Sequence, residues 1–247
     1  MHFGALFWSL LEEVEAVCVH YSTNIEAIHP QFTSDGALAQ NGWRLVWWDR
    51  QLAWDAEHAR FLKEQAELSS DFQVVGPVSF TSSRLYPLSR RRPCVAVFDV
   101  IPMAEHRLAT WSGESYYSMT TVSRFLHDLF EVTRDLDYEI LWKSKREVSG
   151  SHDGSYVELI DMYKEKDGID VVPDDTSVKS LVEHSVAAPS IPFTSTALVA
   201  NFMGKPSAFF DPKASVPQDH PAARGLPVLG SKSELAQWLG HPHLFIR

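Results

Sequence analysis

The sequence has little cysteine and none of the short motifs that mark common cofactor-binding or hydrolytic enzymes. Cys18 and Cys94 are its only two cysteines, which excludes a disulfide framework and a Cys-x-x-Cys zinc site and favours a reducing, cytoplasmic setting. The motifs G-x-G-x-x-G, Walker A, G-x-S-x-G and H-E-x-x-H are absent. His241 and His243 have a metal-like spacing but no third partner, and zinc needs three or four ligands. These two histidines are therefore not predicted to hold a metal.

Long hydrophobic runs and an excess of basic charge are also missing. The apolar run at 3–11 is short, follows no basic segment and meets Glu12 and Glu13 at once, so it is neither a signal peptide nor a membrane span. The 22 Lys and Arg residues are outnumbered by 32 Asp and Glu residues, and the net charge of −10 disfavours nonspecific binding to nucleic acid. We expect a cytoplasmic protein that is at most peripheral to a membrane.

Strand-like and helix-like segments alternate along the chain, which predicts an α/β protein with parallel sheets. From residue 94 onward the pattern contains about six strands and five helices, enough for a Rossmann-like, doubly wound parallel sheet in a domain at 94–247. One of these helices is predicted at 115–136, with Ser118 as its cap. Residues 1–80 contain only two or three predicted strands, so they predict a partial second Rossmann-like domain. Residues 81–93 are rich in Ser, Pro and Arg and predict a linker.

In the N-terminal part the predicted strands cover 16–20, 44–48 and 72–75, and a predicted helix covers 49–68. Strands missing from a partial domain would leave apolar side chains uncovered. The aromatic candidates for such a surface are Phe3, Phe7, Trp8, Trp47 and Trp48. Because contiguous exposed apolar patches mark interfaces or aggregation, we expect this part to self-associate or to need a partner chain.

The most informative stretch, 185–212, predicts a strand, a polar turn, a buried helix and a second strand. The turn carries the hydroxyl groups of Thr194, Ser195 and Thr196. In a parallel sheet, ligands bind beyond the carboxyl ends of the strands, and the free N–H groups at a helix start attract phosphate. The same hydroxyls are favoured helix caps. The pattern alone leaves open whether they cap the helix or contact a ligand.

Charged residues follow three other predicted strands. Lys143 and Lys145 are two positions apart in an extended segment, so their side chains could face the same side of it. The planar guanidinium group of Arg146 is suited to phosphate or carboxylate. Asp99 and Asp174 each follow another strand. In a ligand site the basic groups bind an anion, and the acids accept a hydrogen bond from a ribose hydroxyl or contact the ligand. Elsewhere they are ordinary loop charges or partners of a helix dipole, and the pattern leaves both interpretations open.

Three runs of the sequence resemble one family. I-P-F-T-S-T-A-L-V-A-N-F-M-G-K-P-S-A-F-F-D-P resembles the signature of the bacterial polysaccharide-biosynthesis PFTS motif proteins, and V-A-V-F-D-V-I-P and E-I-L-W-K-S-K-R resemble further blocks of that family. The resemblance covers about residues 44–239. More broadly, the order of elements resembles the donor-binding half of GT-B glycosyltransferases. Those enzymes hold a nucleotide sugar mainly in the C-terminal one of two Rossmann-like domains.

The resemblance implies roles for particular residues. A basic segment after a middle strand and a later Ser/Thr turn would contact the nucleotide phosphate, with two acids as candidate ribose or sugar contacts. The phosphate residues would be Lys143, Lys145, Arg146, Thr194, Ser195 and Thr196, and the acids Asp99 and Asp174. It also implies a nucleotide-sugar donor, a glycan or lipid-linked acceptor, and no metal.

The chain departs from the GT-B pattern at its start. A GT-B enzyme usually has a full acceptor domain, which commonly supplies the catalytic base, whereas this chain shows only the last strands of one. No catalytic residue is therefore assigned, and the expected function is that of a glycosyltransferase-like protein of surface polysaccharide synthesis whose start is missing or supplied by a partner. The alternatives are a noncatalytic nucleotide- or glycan-binding subunit of an assembly complex and a sugar-nucleotide epimerase, since a fold alone does not settle function.

Overall fold

The computed structural model describes seven stretches of the chain, and every structural statement concerns these: 17–20, 22–23, 48–64, 68–78, 92–102, 116–144 and 153–242. The chain divides into two units, Met1–Thr81 and Ser82–Arg247. Most of the predicted linker at 81–93 lies outside the described residues, so the linker stays a prediction.

The N-terminal unit contains a parallel sheet of three strands in the described residues, in the order β1-β2-β3. Its elements are the strands Val17–Val19 (β1) and Arg50–Ala53 (β2), the helix Ala56–Glu64 (α1) and the strand Asp71–Val74 (β3). The predicted strands at 16–20 and 72–75 are thus confirmed. No helix of the described residues is long and apolar enough to cross a membrane.

The first part of the predicted helix at 49–68 is wrong, whereas the predicted strand at 44–48 lies outside the described residues except for Trp48. Arg50–Ala53 is a strand, although the sequence pattern placed it inside a helix at 49–68. Gln51 and Ala53 are buried while Arg50 is exposed, which is the period of two of a half-buried strand. The helix begins later because the Asp55 carboxylate accepts a hydrogen bond from His58 N–H at 2.6 Å, as an N-terminal cap does.

Apolar side chains of the N-terminal sheet reach solvent. Val17, Val19 and Val74 are 39%, 49% and 53% exposed. Of the aromatic residues predicted to be uncovered, only Trp48 is described, and it is half-buried. The others lie outside the described residues: Phe3, Phe7, Trp8 and Trp47. The expected self-association therefore stays a prediction.

The C-terminal unit is built on six strands that pair in parallel, in the order β6-β5-β4-β7-β8-β9. Counted from the first strand of the unit, this is the Rossmann order 3-2-1-4-5-6, so the predicted doubly wound parallel sheet is confirmed. The strands are Cys94–Phe98 (β4), Glu139–Lys143 (β5), Ile169–Val171 (β6), Ala188–Ser190 (β7), Ser207–Phe210 (β8) and Val228–Leu229 (β9).

Five helices of the described residues cover this sheet. They are Met119–Asp135 (α2), Ser155–Lys164 (α3), Val178–Glu183 (α4), Ser195–Phe202 (α5) and Lys232–Gly240 (α6). Helix α2 packs against α3 and α6, while α4 packs against α5. Because parallel strands are joined by right-handed crossovers, the two groups lie on opposite faces of the sheet. The hydroxyl of Ser118 accepts from Thr121 N–H at 3.4 Å and caps α2, as the sequence predicted.

Aromatic packing fixes the helices on the sheet. Trp142 of β5 is fully buried, and its ring lies 5.6 Å from that of Phe130 in α2 and 6.2 Å from that of Tyr163 in α3. Phe125 of α2 meets Phe210 of β8 at 5.9 Å. Each such ring removes roughly 150–250 Å² from water, so these contacts hold α2 across several strands.

The strand order reverses between β4 and β7. Phe98, the last residue of β4, pairs with Ser190, the last residue of β7, and Ile191 N–H donates to the Phe98 carbonyl oxygen at 3.3 Å. From β4 the chain proceeds towards β5 and β6, and from β7 towards β8 and β9. The connection after β4 and the connection after β7 therefore lie on opposite faces of the sheet. A crevice remains between them at the carboxyl ends of these two strands.

Candidate functional site

A tight turn joins β7 to α5 in this crevice, and we call residues 191–196 the hydroxyl turn. Thr194 N–H donates to the Ile191 carbonyl oxygen at 3.3 Å, with Pro192 second in the turn. Phe193, third in the turn, has a φ of 59°. A positive φ at that position is the type II pattern, where glycine is usual because an L-residue there costs about 1–2 kcal/mol.

Contacts from other parts of the unit hold the hydroxyl turn in this conformation. The Phe193 ring is buried and lies 5.4 Å from the ring of Phe209 and 4.5 Å from that of His220. The Tyr117 hydroxyl, from the segment that leads into α2, donates to the Pro192 carbonyl oxygen at 2.7 Å. The strain at Phe193 is therefore maintained by tertiary contacts.

The hydroxyls of Thr194 and Thr196 bond within this part of the chain. Thr194 stands at the cap position of α5, yet its side chain makes no capping bond and donates instead to the Ile191 carbonyl oxygen at 3.1 Å. Thr196 Oγ1 donates to Thr194 Oγ1 at 3.2 Å and lies 3.4 Å from Ser190 Oγ. The Thr194 side chain therefore does not cap α5.

Asp99 lies next to this turn, directly after β4, and is 2% exposed. The Tyr156 hydroxyl donates to Asp99 Oδ2 at 2.6 Å and lies 2.9 Å from Ser144 Oγ, while Asp99 Oδ1 has no hydrogen-bond partner among the described residues. Burial raises the pKa of Asp99 to about 6. The Tyr156 bond opposes this rise in pKa most, followed by the Trp142 indole, which does not reach hydrogen-bond geometry. The backbone N–H of Asp99 and the Lys143 ammonium lower the pKa less.

Lys143, the last residue of β5, is also buried. Its Nζ donates to the Asp174 carbonyl oxygen at 2.7 Å and to the Ser144 carbonyl oxygen at 3.3 Å. Burial lowers the pKa of Lys143, and the nearby carboxylates of Asp174, Asp175 and Asp99 oppose that change. The ammonium group thus ties the end of β5 to the loop after β6, and one of its three N–H bonds is left for another acceptor.

The predicted site residues that the structure describes lie at one edge of the sheet but not at one point. Lys143 is bonded on the β6 side, whereas the hydroxyl turn follows β7, with β4 between them. Two strand spacings separate β5 from β7, which is about 10 Å. Lys145 and Arg146 lie outside the described residues, and the Asp174 carboxylate is exposed. A phosphate shared by the basic segment and the hydroxyl turn stays a prediction.

Residues 8–239 match the family model described as polysaccharide biosynthesis PFTS motif protein. The chain belongs to this family. No curated protein matches it in sequence. Among solved structures, the wall teichoic acid polymerase TagF is similar with a TM-score of 0.47 and 13% identity over 80% of this chain and 48% of that one. TarM is similar with a TM-score of 0.46 and 10% identity over 99% of this chain and 47% of that one. This PFTS motif protein thus spans about half the length of either.

Sequence reasoning missed several side chains of the site in the PFTS motif protein. Tyr156 and Ser144 hold Asp99, and Tyr117 holds the hydroxyl turn. The adjacent Tyr116 hydroxyl donates to the fully buried carboxylate of Asp211, which also accepts three backbone N–H bonds from the loop after β8. The Tyr-Tyr pair just before the predicted cap of α2 was a visible signal, whereas nothing local marked Tyr156.

The opposite edge of the sheet holds a hollow of about 300 Å³ whose charges are largely paired. Arg92 contacts Asp137 at 3.2 Å and Glu139 at 3.3 Å. His127, Asp128 and Glu131 lie close enough together to suggest a metal, but Lys232 already binds Glu131. The hollow therefore offers a ligand little unpaired charge, and the cluster gives no reason to assign a metal.

Replacing Asp99 by Asn should stabilise the protein at neutral pH. The buried carboxyl binds its proton more tightly in the folded state, where its pKa is about 6, than in the unfolded state, where it is 3.8. The contribution of Asp99 to the free energy of unfolding is therefore complete below pH 3.8. It is lost as the pH rises through 6, and the total loss is about 3 kcal/mol. Urea unfolding of Asp99→Asn at pH 7.5 should show up to that gain, shrinking towards pH 4.

The exposed Asp174→Asn is the matched control for this comparison and should stay within about 0.5 kcal/mol of the wild type. An Asp99→Asn protein that is less stable than the wild type at pH 7.5 would contradict the account of Asp99 as a carboxylate held ionised at a cost to folding.

Phe193→Gly should be more stable than Phe193→Ala, by about 1 kcal/mol, because only glycine relieves the strain of the positive φ. Both variants lose the ring and its packing, so their difference reports the backbone. Phe202, an exposed phenylalanine in α5, gives the control with the opposite sign, since glycine in a helix costs about 1 kcal/mol relative to alanine. Thermal unfolding of the four variants measures both differences, and the same order at both positions would rule out the strain.

Proposed function

We propose that this PFTS motif protein is a GT-B type glycosyltransferase, or the donor-binding part of one, that acts in surface polysaccharide synthesis. Its C-terminal unit would bind a nucleotide-activated sugar, and the sugar would pass to a glycan or lipid-linked acceptor. Membership of a polysaccharide biosynthesis family supports this function. The proposed setting is the cytoplasm, peripheral to the inner membrane, in keeping with a chain that has only two cysteines.

The location of the hydroxyl turn is the observation that carries this proposal. It follows β7 at the point where the strand order reverses, which is where open parallel sheets bind their ligands. The start of α5 there receives no capping bond from Thr194. Tyr117 brings the segment leading into α2 to the same turn. Partial positive charge at helix starts is suited to a phosphate, and we propose that no metal is needed.

The proposed roles follow the positions of the side chains. Thr194, Ser195 and Thr196 would contact a donor phosphate with the N–H groups behind them. Lys143 would supply positive charge through its remaining N–H, continued by the basic residues that follow it at 145 and 146. Asp99 and Asp174 would accept hydrogen bonds from hydroxyls of the ribose or the sugar.

In the proposed reaction an acceptor hydroxyl oxygen forms a bond to the anomeric carbon while the bond from that carbon to the donor phosphate breaks. The electron pair leaves with the nucleotide phosphate, whose growing negative charge the turn and Lys143 would stabilise. The hydroxyl proton passes to a base, and no residue of this chain is assigned that role. The second candidate is a noncatalytic nucleotide- or glycan-binding subunit of an assembly complex, because a fold with a ligand crevice does not by itself settle catalysis.

Calorimetric titration with CMP, UDP and GDP tests the proposal. The wild type should bind at least one of them. Lys143→Met keeps the buried stem and removes the charge, and it should weaken binding about tenfold to a hundredfold, because a charged bond to phosphate is worth roughly 1.5–3 kcal/mol. Ser195→Ala should cost less, since the backbone N–H groups remain.

Lys179, an exposed lysine of α4, supplies the control variant Lys179→Ala, which should bind like the wild type. If the folded wild type binds none of the three nucleotides, the donor-binding proposal fails. Preference for CMP would favour an acidic sugar donor, and preference for UDP or GDP a neutral or amino sugar.

A further inference from the structure

Two successive tyrosines connect the start of α2 to loops at the carboxyl ends of β7 and β8. Tyr117 donates to the Pro192 carbonyl oxygen in the hydroxyl turn, at 2.7 Å, and Tyr116 donates to Asp211. The two rings contact each other edge to face, 5.4 Å apart. The hydroxyls of these two neighbouring residues therefore hold two different loops. The role of each hydroxyl can be tested separately.

The acceptor of the Tyr117 bond is the central peptide group of the turn. That peptide joins Pro192 to Phe193, and its carbonyl oxygen and N–H point in opposite directions because the peptide is planar and trans. Turning it over converts a type II turn into a type I turn and reverses both directions. The donor on the Pro192 oxygen consequently selects one of the two orientations.

The residue at 193 would by itself favour the other orientation. In a type I turn the third residue has a φ near −90°, which any L-residue adopts, whereas Phe193 is held at 59°. Its N–H donates to no acceptor among the described residues, since the bond that closes the turn comes from Thr194. The hydrogen bond from Tyr117 and the packing of the Phe193 ring therefore hold the strained peptide in its present orientation. In this orientation the Phe193 N–H has no acceptor among the described residues.

We propose that Tyr117 is a positioning residue for phosphate binding. The Tyr117 hydroxyl holds the Pro192 carbonyl oxygen and so fixes the orientation of the peptide between Pro192 and Phe193. In that orientation the Phe193 N–H donates to a phosphate bound at the start of α5. With the peptide turned over, a carbonyl oxygen would stand there and repel the phosphate. This inference rests on the proposed function, because it concerns the phosphate of the same nucleotide donor.

Tyr117→Phe tests this role by removing only the hydroxyl. We expect the affinity for the nucleotide that the wild type binds best among CMP, UDP and GDP to fall about fivefold to tenfold, as for a lost hydrogen bond. The affinity for the corresponding nucleoside, which has no phosphate, should not change. In the wild type, the amide proton resonance of Phe193 should move downfield when the nucleotide is added, and this movement should shrink in Tyr117→Phe.

Tyr116→Phe is the matched control, because it removes a hydroxyl from the same segment that holds Asp211 instead of the turn. It should lower stability without selective loss of nucleotide affinity relative to nucleoside. If Tyr117→Phe binds the nucleotide as the wild type does, or loses nucleotide and nucleoside affinity equally, the proposed role is wrong.

A cycle of unfolding measurements separates this inference from the proposed function, because it uses no ligand. Tyr117→Phe should raise the unfolding equilibrium constant about fivefold in the wild-type background and less than twofold beside Phe193→Gly, since glycine accepts the positive φ without help. An equal effect in both backgrounds would mean that Tyr117 does not hold the peptide. If the cycle shows the coupling but no nucleotide binds, the peptide is positioned as described while its role in phosphate binding falls with the donor proposal.

Discussion

The handedness of the strand connections is the constraint on which the arrangement of the C-terminal unit depends. Parallel strands are joined by right-handed crossovers, so a chain that builds outward from β4 and then from β7 must leave its helices on opposite faces. The crevice between β4 and β7 follows from this, and with it the placement of the hydroxyl turn, Asp99 and the start of α2 at one edge. No side chain has to open the crevice.

Features that cost folding energy are concentrated at that edge. Asp99 is a buried carboxyl whose pKa is raised to about 6, Phe193 has a positive φ, and Lys143 is a buried cation. At the opposite edge the buried aromatic rings pack closely and charges such as Arg92 are paired. Unfavourable groups that tertiary contacts hold in place are typical of functional sites, which agrees with a ligand at the carboxyl edge.

The described residues of this family member form two parallel sheets of different size. The C-terminal unit has the six strands of a full Rossmann order, whereas the described residues of the N-terminal unit form three strands with exposed valines on β1 and β3. An open parallel sheet binds its ligand beyond the carboxyl ends of its strands, where the hydroxyl turn and Asp99 lie. Donor binding is therefore the part of the proposed function that this chain supports most directly.

The sequence by itself determined the α/β class, the strands and helices of the C-terminal unit, the Ser118 cap and the hydroxyl turn, because periodicity and capping act within a few neighbouring residues. It placed Arg50–Ala53 in a helix, because the cap of α1 at Asp55 was overlooked. Only the tertiary structure decided that Tyr156 reaches Asp99 across 57 positions, Tyr117 reaches Pro192 across 75, and Lys143 reaches the Asp174 carbonyl across 31. The order of the strands sets which side chains meet at one edge, and that order is fixed by packing of the whole sheet, which no local pattern encodes.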